Sequence, residues 1–443
     1  MGRGRLVVNL FIICCLVTVQ LFSFNQQVKA NAQFDVEAES AILIEVTTGK
    51  VLFEKNADLA LPPASMSKMM TEYLILEAIR DGKFDWDTMV PVSAYAHYVQ
   101  GSTVFLTEGQ EHSVRDLMIA LAAFSANDAT VALAEFVAGS EASFVELMNQ
   151  KAKELGMNNT YFVNSSGLPN SMLGPYLHTG TEEEQNLMSA RDTAILARAL
   201  VTDFPEVLEF ASALEVPEPF SQYQLFNFNW MLPGHPLGQA KPHAYPGLDG
   251  LKTGHTQLAG YCFTATAERD GMRLISVVMR SDSENTRFQE TRKLLDYGFN
   301  NFVLKEIISE GDKVENLETL PVYRGKEKEV PVAVGQSLTT VIHKDEEALY
   351  SLEYVPNPEL VNEAGSLMAP LAKGDVVGSV RLHYSGDLPY ELLIAGEDPE
   401  VVPLVAEEDV EKAGWLRLFF RGVFEFFAEI WLSIVENIKG WFS

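Results

Sequence analysis

The chain is poor in basic residues, nearly free of cysteine, and has no metal-binding pattern. Lys and Arg number 33 against 61 Asp and Glu, a formal charge of −28. A nucleic-acid binder needs a basic surface that displaces counterions, so that class is disfavoured. Of the three cysteines, Cys14 and Cys15 lie in an apolar N-terminal stretch and only Cys262 follows it. One cysteine makes no internal disulfide, so the fold must rest on a large core. Eight histidines are present, but neither His-Glu-x-x-His nor His-x-His occurs. That argues against a zinc peptidase and for no metal or other cofactor. There is no long repeat and no low-complexity tract. With 443 residues, 47% hydrophobic and 21% charged, the composition is that of a globular protein of two or three domains.

The N-terminus has an export pattern. Arg3 and Arg5 precede an apolar run from Leu6 to Phe22, and Ala30-Asn31-Ala32 fits a small-x-small cleavage site. Residues 1–32 are therefore expected to be a signal peptide; a retained N-terminal membrane helix is the alternative. Losing Arg3, Arg5 and Lys29 takes the charge from −28 to −31 (−28 − 3).

Ser40 to Val46 and Val51 to Glu54 read as a hairpin around Thr47-Thr48-Gly49-Lys50. Residues 65–80, 113–138, 140–155 and 190–202 read as helices. Residues 215–250, rich in Pro, Gly and aromatics, read as irregular. Gly260 to Glu268 and Met272 to Met279 alternate as strands around Arg269-Asp270-Gly271, a hairpin signal. Helices mixed with antiparallel hairpins predict an α+β catalytic region over 33–303. Short alternating segments over 304–395 predict a small all-β domain, and the acidic, proline-containing stretch 396–410 a linker.

In residues 411–443, Leu416, Phe420, Val423, Phe427, Ile430, Ile434, Ile438 and Trp441 step by three or four, which is one face of a helix. Charges interrupt the segment too often for a membrane span. The spacing predicts an amphipathic helix lying in a membrane interface; packing on the protein itself or on a second copy is the alternative. Four basic and four acidic side chains leave this segment neutral (Lys412, Arg417, Arg421 and Lys439 against Glu411, Glu425, Glu429 and Glu436). Apolar burial, at roughly 1.5–3 kcal/mol per large side chain, must then supply the binding.

The stretch Pro62-Pro63-Ala64-Ser65-Met66-Ser67-Lys68 places an amine among small and apolar residues. The prolines suit a helix start, which sets the helix to begin near Ser65. A serine there lies beside unpaired N–H groups at the positive end of the dipole. Lys68 is three residues on, so one turn brings its amine alongside Ser65, while Ser67 points elsewhere. Met66, Met69, Met70, Tyr73, Leu74 and Ile75 make the surroundings apolar, and burial disfavours a charged amine. A neutral lysine beside a serine is a base beside a nucleophile. The bland alternative is a helix-capping serine and a lysine that extends to water.

Two further segments bear on that choice. Ser125-Ala126-Asn127 precedes a helical run, and Lys252-Thr253-Gly254 precedes a strand. Ser-x-Asn also occurs at Ser23 to Asn25 and Ser283 to Asn285, but order and context select Ser125. Ser-x-x-Lys, Ser-Asp-Asn and Lys-Thr-Gly are the signature of penicillin-binding proteins and class A β-lactamases; here the second reads Ser125-Ala126-Asn127.

The chain resembles the low-molecular-mass penicillin-binding proteins, serine-type D-alanyl-D-alanine carboxypeptidases of the kind found in Bacillus and its relatives. PPASMSKMMTEYL, SANDATVALAEFVAGS, NSSGL and DGLKTGHTQLAGYCFTATAERDGMRL carry the likeness. It implies a serine β-lactamase/transpeptidase-like catalytic domain, a small β domain and a membrane-bound tail. The expected partners are the peptidoglycan stem pentapeptide, β-lactams as covalent inhibitors, and the outer face of the cytoplasmic membrane. Removing the terminal D-alanine would limit cross-linking of the wall. By resemblance Ser65 is the nucleophile, Lys68 takes its proton, and Ser125 relays a proton to the leaving D-alanine. Asn127 would bond the peptide amide, and Lys252 and Thr253 the terminal carboxylate. The N–H groups of Ser65 and His255 would form the oxyanion hole, with Gly254 and His255 in the pocket wall. Two rivals stand beside this reading. One is a β-lactamase of the same fold, which needs a Glu-x-x-Leu-Asn loop; Glu182 to Asn186 is the nearest match, with Gln185 in place of Leu. The other is a catalytically silent wall-binding protein.

Overall fold

The computed structural model describes residues 34–386, 391–394, 396 and 398–442; the expected signal peptide lies outside them. By its contacts the chain divides into Met1–Glu37 and Ala38–Ser443, and every element below belongs to the second unit.

The catalytic region is built on strands β1 (Ser40–Glu45), β2 (Lys50–Lys55), β3 (Leu248–Thr256), β4 (Gly260–Arg269) and β5 (Met272–Ser281). Its helices are α1 (Lys68–Arg80), α2 (Val114–Phe124), α3 (Asn127–Ala138), α4 (Glu141–Glu154), α5 (Ala190–Asp203) and α6 (Glu284–Asn301). The strands form one antiparallel sheet in the order β2-β1-β5-β4-β3. Helix α5 packs on β1 and β5, and α6 packs on β4 and β5. Every residue of β1 is buried. A strand covered on both faces has no solvent side, which explains the unbroken apolar run Ala41-Ile42-Leu43-Ile44. The β4–β5 hairpin turns at Asp270 and Gly271, both at positive φ (50° and 78°), as its Asp-Gly pair predicts. Helix α1 runs through the core, with Met69, Met70, Tyr73, Leu74, Ile75 and Leu76 all buried.

The expected helix over 113–138 is broken. Ser125 adopts the left-handed conformation (φ 61°, ψ 32°) as the C-cap of α2, and α3 starts two residues later. The Ala-rich sequence on both sides hides a break that tertiary contacts impose.

Helix α6 runs directly into the second domain. Its strands are β6 (Phe302–Ile308), β7 (Thr319–Tyr323), β8 (Glu329–Val334), β9 (Leu338–His343), β10 (Tyr350–Pro356), β11 (Leu367–Met368) and β12 (Val376–Tyr384). After β13 (Glu391–Leu392) comes β14 (Val401–Ala406). One sheet has the order β10-β12-β14-β8-β7-β11, and β6 pairs with β9. The linker expected at 396–410 is therefore corrected: β14 lies inside this sheet, between β12 and β8. Val402, Leu404 and Ala406 face its core in strict alternation. Pro403 and the flanking acids obscure that pattern in the sequence. The proline is tolerated because the β12–β14 pairing shifts register close to it, and proline in sheets is confined to edges and bulges.

The boundary expected at residue 395 is also crossed. β13 leaves the second domain and pairs with β2, adding a sixth strand to the catalytic sheet. Leu393 donates its N–H to the Gly49 carbonyl at 2.8 Å and is 3% exposed within the catalytic core. Beside it the buried Lys50 amine meets Glu400 at 2.6 Å.

The tail forms helix α7 (Trp415–Phe442). Leu416, Phe420, Val423, Phe427 and Ile430 of the expected stripe are all exposed; the side chains of Ile434, Ile438 and Trp441 lie outside the description. Trp415 and Phe424 are 78% and 73% exposed. No helix among the described residues is long and apolar enough to cross a membrane.

Candidate active site

Ser65 lies in a 3-10 turn, Ala64–Ser67, that leads into α1. Two glycines let backbone crowd against this turn. A Cβ on Gly254 of β3 would sit 2.4 Å from the Pro63 carbonyl oxygen, and one on Gly167 would sit 1.9 Å from that of Ala64. Only glycine permits approaches this close. Ser65 is thereby wedged between β3 and the Asn164–Pro169 loop. Ser67 is buried on the other side, where its Oγ accepts a hydrogen bond from Asn186 Nδ2 at 2.9 Å. Ser65, with Ser125, Thr253, Gly254 and His255, lines a cleft of ≈ 340 Å³.

The Lys68 amine is fully buried. Its Nζ lies 3.1 Å from Ser65 Oγ, 2.7 Å from Asn127 Oδ1 and 2.7 Å from the Ser166 carbonyl oxygen. The Asn127 amide is oriented by its other end, since Nδ2 donates to the Gln100 carbonyl at 2.6 Å. Oδ1 must then face the lysine. Burial holds the Lys68 pKa well below the ordinary amine value; the Lys252 cation adds to this, while Glu72 and Asp128 oppose it. A neutral amine has two N–H donors and one lone pair. Both donors are taken by the two pure acceptors, so the lone pair is left for the Ser65 hydroxyl.

Ser125 faces the same cleft from its left-handed cap. Its Oγ is buried and has no hydrogen-bond partner among the described residues. Such a conformation costs a non-glycine residue roughly 1–2 kcal/mol and is typical of functional positions. Asn127, expected to bond the substrate amide, is buried with its side chain between Lys68 and the Gln100 carbonyl. Next to it, buried Asp128 accepts from the Val104 and Leu106 N–H groups, and Asn127 donates its own N–H to the Ser102 carbonyl at 2.7 Å. Together these fix the 101–106 loop over the cleft.

Lys252 and Thr253, expected just before the strand that begins at Gly260, lie instead inside a strand of their own, β3, and face different surroundings. Thr253 lines the cleft. Lys252 is 2% exposed, and its amine lies 3.4 Å from the Thr253 carbonyl oxygen. Burial lowers its pKa, opposed by Glu72 and aided by Arg287. His255 packs on Tyr261 with ring centroids 4.2 Å apart. Burial and then Arg287 lower its pKa, which suits a neutral wall.

Sequence reasoning missed Ser102, Tyr261 and Arg287, which also line the cleft. Arg287 is buried on α6, where it contacts the Gly254 carbonyl and Glu284. No motif marks it. The nearby Ser283-Glu284-Asn285, a decoy for the second motif, is a helix cap: Ser283 Oγ accepts from the Thr286 N–H at 3.0 Å. Glu182 of the β-lactamase-like loop is exposed. Asn186 is tied to Ser67 and to the Val163 and Asn164 backbone.

Known proteins match this architecture along nearly the whole chain. Residues 26–283 match the D-alanyl-D-alanine carboxypeptidase family, and residues 302–412 match the penicillin-binding protein 5 C-terminal domain. The D-alanyl-D-alanine carboxypeptidase DacF of Bacillus subtilis is 33% identical over 421 residues, covering 94% of this chain and 97% of that protein. Among solved structures, a peptidoglycan synthesis regulatory factor (PBP3) from Streptococcus pneumoniae is similar with a TM-score of 0.71 at 33% identity. That match covers 85% of this chain and all (100%) of the other. Penicillin-binding protein D2 from Listeria monocytogenes, in its ampicillin-bound form, matches at 35% identity and a TM-score of 0.51. It covers 60% of this chain and 99% of its own. With a serine and a buried lysine paired in the cleft, and both domains matched in order, the chain belongs to the D-alanyl-D-alanine carboxypeptidase family of penicillin-binding proteins.

Proposed function

We propose that Ser65, Lys68 and Ser125 remove the terminal D-alanine of peptidoglycan stem pentapeptides through an acyl-enzyme. Ser65 Oγ attacks the carbonyl carbon of the penultimate D-alanine while Lys68 accepts the hydroxyl proton. The backbone N–H groups of Ser65 and His255 receive the developing oxyanion. The C–N bond to the terminal D-alanine then breaks, and the proton passes from Lys68 by way of Ser125 to the leaving amine. Thr253 holds the terminal carboxylate, and the Lys252 charge behind it favours a free C-terminus. Water hydrolyses the ester and frees Ser65. A penicillin presents a strained amide and a carboxylate in the same arrangement and acylates Ser65 likewise. Nucleophile and base are both side chains, so the sequence of steps calls on no cofactor.

The observation that carries this reading is the buried Lys68 amine, held by Asn127 Oδ1 and the Ser166 carbonyl with its Nζ 3.1 Å from Ser65 Oγ. Mass spectrometry of the protein with a pentapeptide and with penicillin tests it, against Ser65→Ala. The wild type should release D-alanine and gain the penicillin mass. A Ser65→Ala protein that still did either would overturn the assignment.

The same reading places the protein outside the cytoplasm, with α7 lying on the outer face of the membrane. The exposed apolar stripe from Leu416 to Ile430 supports it. At roughly 1.5–3 kcal/mol for each large side chain buried in lipid, the stripe can outweigh repulsion between the acidic body and the screened lipid surface. The signal-like N-terminus supplies the route out.

A further inference from the structure

Glu72 is a buried acid for which the mechanism above has no use. It lies on α1 one turn beyond Lys68 and is 2% exposed, and its Oε1 has no hydrogen-bond partner among the described residues. Four residues along a helix put it on the same face as Lys68. No direct ion pair joins it to either lysine among the described residues, yet it is the leading charge acting on Lys252 and also acts on Lys68. Its own pKa is raised by burial, with Lys252 and then Lys68 opposing.

The cluster thus consists of two amines and one carboxyl, all withdrawn from water. Chemistry needs the amines in different states. Lys68 must be neutral to accept a proton, and Lys252 must be charged to favour a carboxylate. In a dry interior the least costly charged state of such a trio is one cation with one anion. Without the carboxylate, both amines would tend to lose their protons. The other charges facing this cluster do not supply the balance. Asp128 on α3 acts on Lys68 but is engaged by three backbone N–H groups. Arg287 on α6 is a further cation and pushes Lys252 the wrong way.

We propose that Glu72 is a positioning residue that keeps the single proton of this buried pair of amines on Lys252 and leaves Lys68 free to act as the base. The proposal rests on the carboxypeptidase reading of the site and adds to it the group that divides the two roles.

The test is the pH profile of kcat/KM for D-alanine release by the full chain, wild type against Glu72→Gln and Glu72→Asp. The acid limb reports Lys68 losing its proton and the alkaline limb reports Lys252 losing its own. Removing the anion should move both limbs toward acid by about one pH unit, the size of a nearby opposite charge. KM should then rise about tenfold on the alkaline side, with kcat held or raised on the acid side. Glu72→Asp should restore the limbs at least in part. A uniform loss at every pH, or limbs that stay in place, makes Glu72 a structural group and overturns the proposal. If Glu72→Gln does not fold, Glu72→Met, which removes the charge and keeps the volume, reads the same limbs. Failure of both neutral variants beside a folded Glu72→Asp whose limbs match the wild type also counts against it. A wild type that releases no D-alanine sinks the carboxypeptidase reading instead; an active wild type with unmoved limbs in Glu72→Gln sinks this inference alone.

Discussion

The cleft and the tail helix reverse the usual rule of burial in opposite senses. Around Ser65 the protein buries amines, a carboxyl and an amide that would be better solvated in water. Along α7 it exposes tryptophans and phenylalanines that would be better buried. Each region is costly in isolation. The cleft offsets part of that cost with hydrogen bonds such as those of Lys68 and Asn127, while Ser125 Oγ and Glu72 Oε1 have no partner among the described residues. Among the described residues the tail's apolar stripe has no such internal remedy. The membrane surface proposed above would supply its compensation, so a change in one region should leave the other's behaviour intact.

That independence can be attacked from several sides. The largest effect is expected from Ser65→Ala, which should abolish acylation while leaving vesicle binding unchanged; retention of labelled penicillin measures the first and flotation the second. Lys68→Met should come next. It keeps the volume and loses the base, so acylation should slow by about 10²–10⁴-fold, the usual worth of general-base help. A stopped-flow acylation trace within fivefold of wild type would show that the amine is not the base. In the tail, Phe420→Asp with Phe427→Asp removes two anchors worth roughly 1.5–3 kcal/mol each. Vesicle partitioning should fall by about two orders of magnitude or more, with turnover of a soluble peptide unaltered. Were peptide turnover to drop in parallel, the two regions would not be independent.

Smaller effects probe the joint between the domains. Leu393→Ala should destabilise the protein by about 2–4 kcal/mol, because a buried leucine leaves a cavity in the catalytic core. Denaturant unfolding measures this, and a shift confined to the second domain would place Leu393 in the wrong core. Least of all is expected from Lys326→Ala. Its pair with Glu411 is exposed and is worth at most about 1 kcal/mol; a larger loss of melting temperature would mark that contact as more than a surface ion pair.

Much of the site could be read from the sequence because its parts are local. The prolines before Ser65 and the three-residue step to Lys68 fix a serine–lysine pair on one turn. Lys252-Thr253-Gly254 was legible as a motif, but the strand that carries it and the close approach at its glycine were not. The residues that went unread act over distance. Arg287 and Glu72 carry no motif, and an isolated charge on a helix usually belongs to a solvated face. Asn127 was legible as a site residue, but its direction was not, because that depends on a carbonyl at Gln100 and an amine at Lys68. β14 was hidden by Pro403 and neighbouring acids, and only the strands on either side reveal what it does.

The sequence by itself determined the first hairpin, the β4–β5 hairpin and most of the helices, which serine has the lysine, and where an exposed apolar stripe would lie, since helix and strand periodicity and one-turn spacings are properties of neighbouring residues. Tertiary structure alone decided the break at Ser125, the return of Glu391–Leu392 to the catalytic sheet, and the state of the buried amines. Those depend on what surrounds a group once water is excluded, and no stretch of chain carries that information on its own.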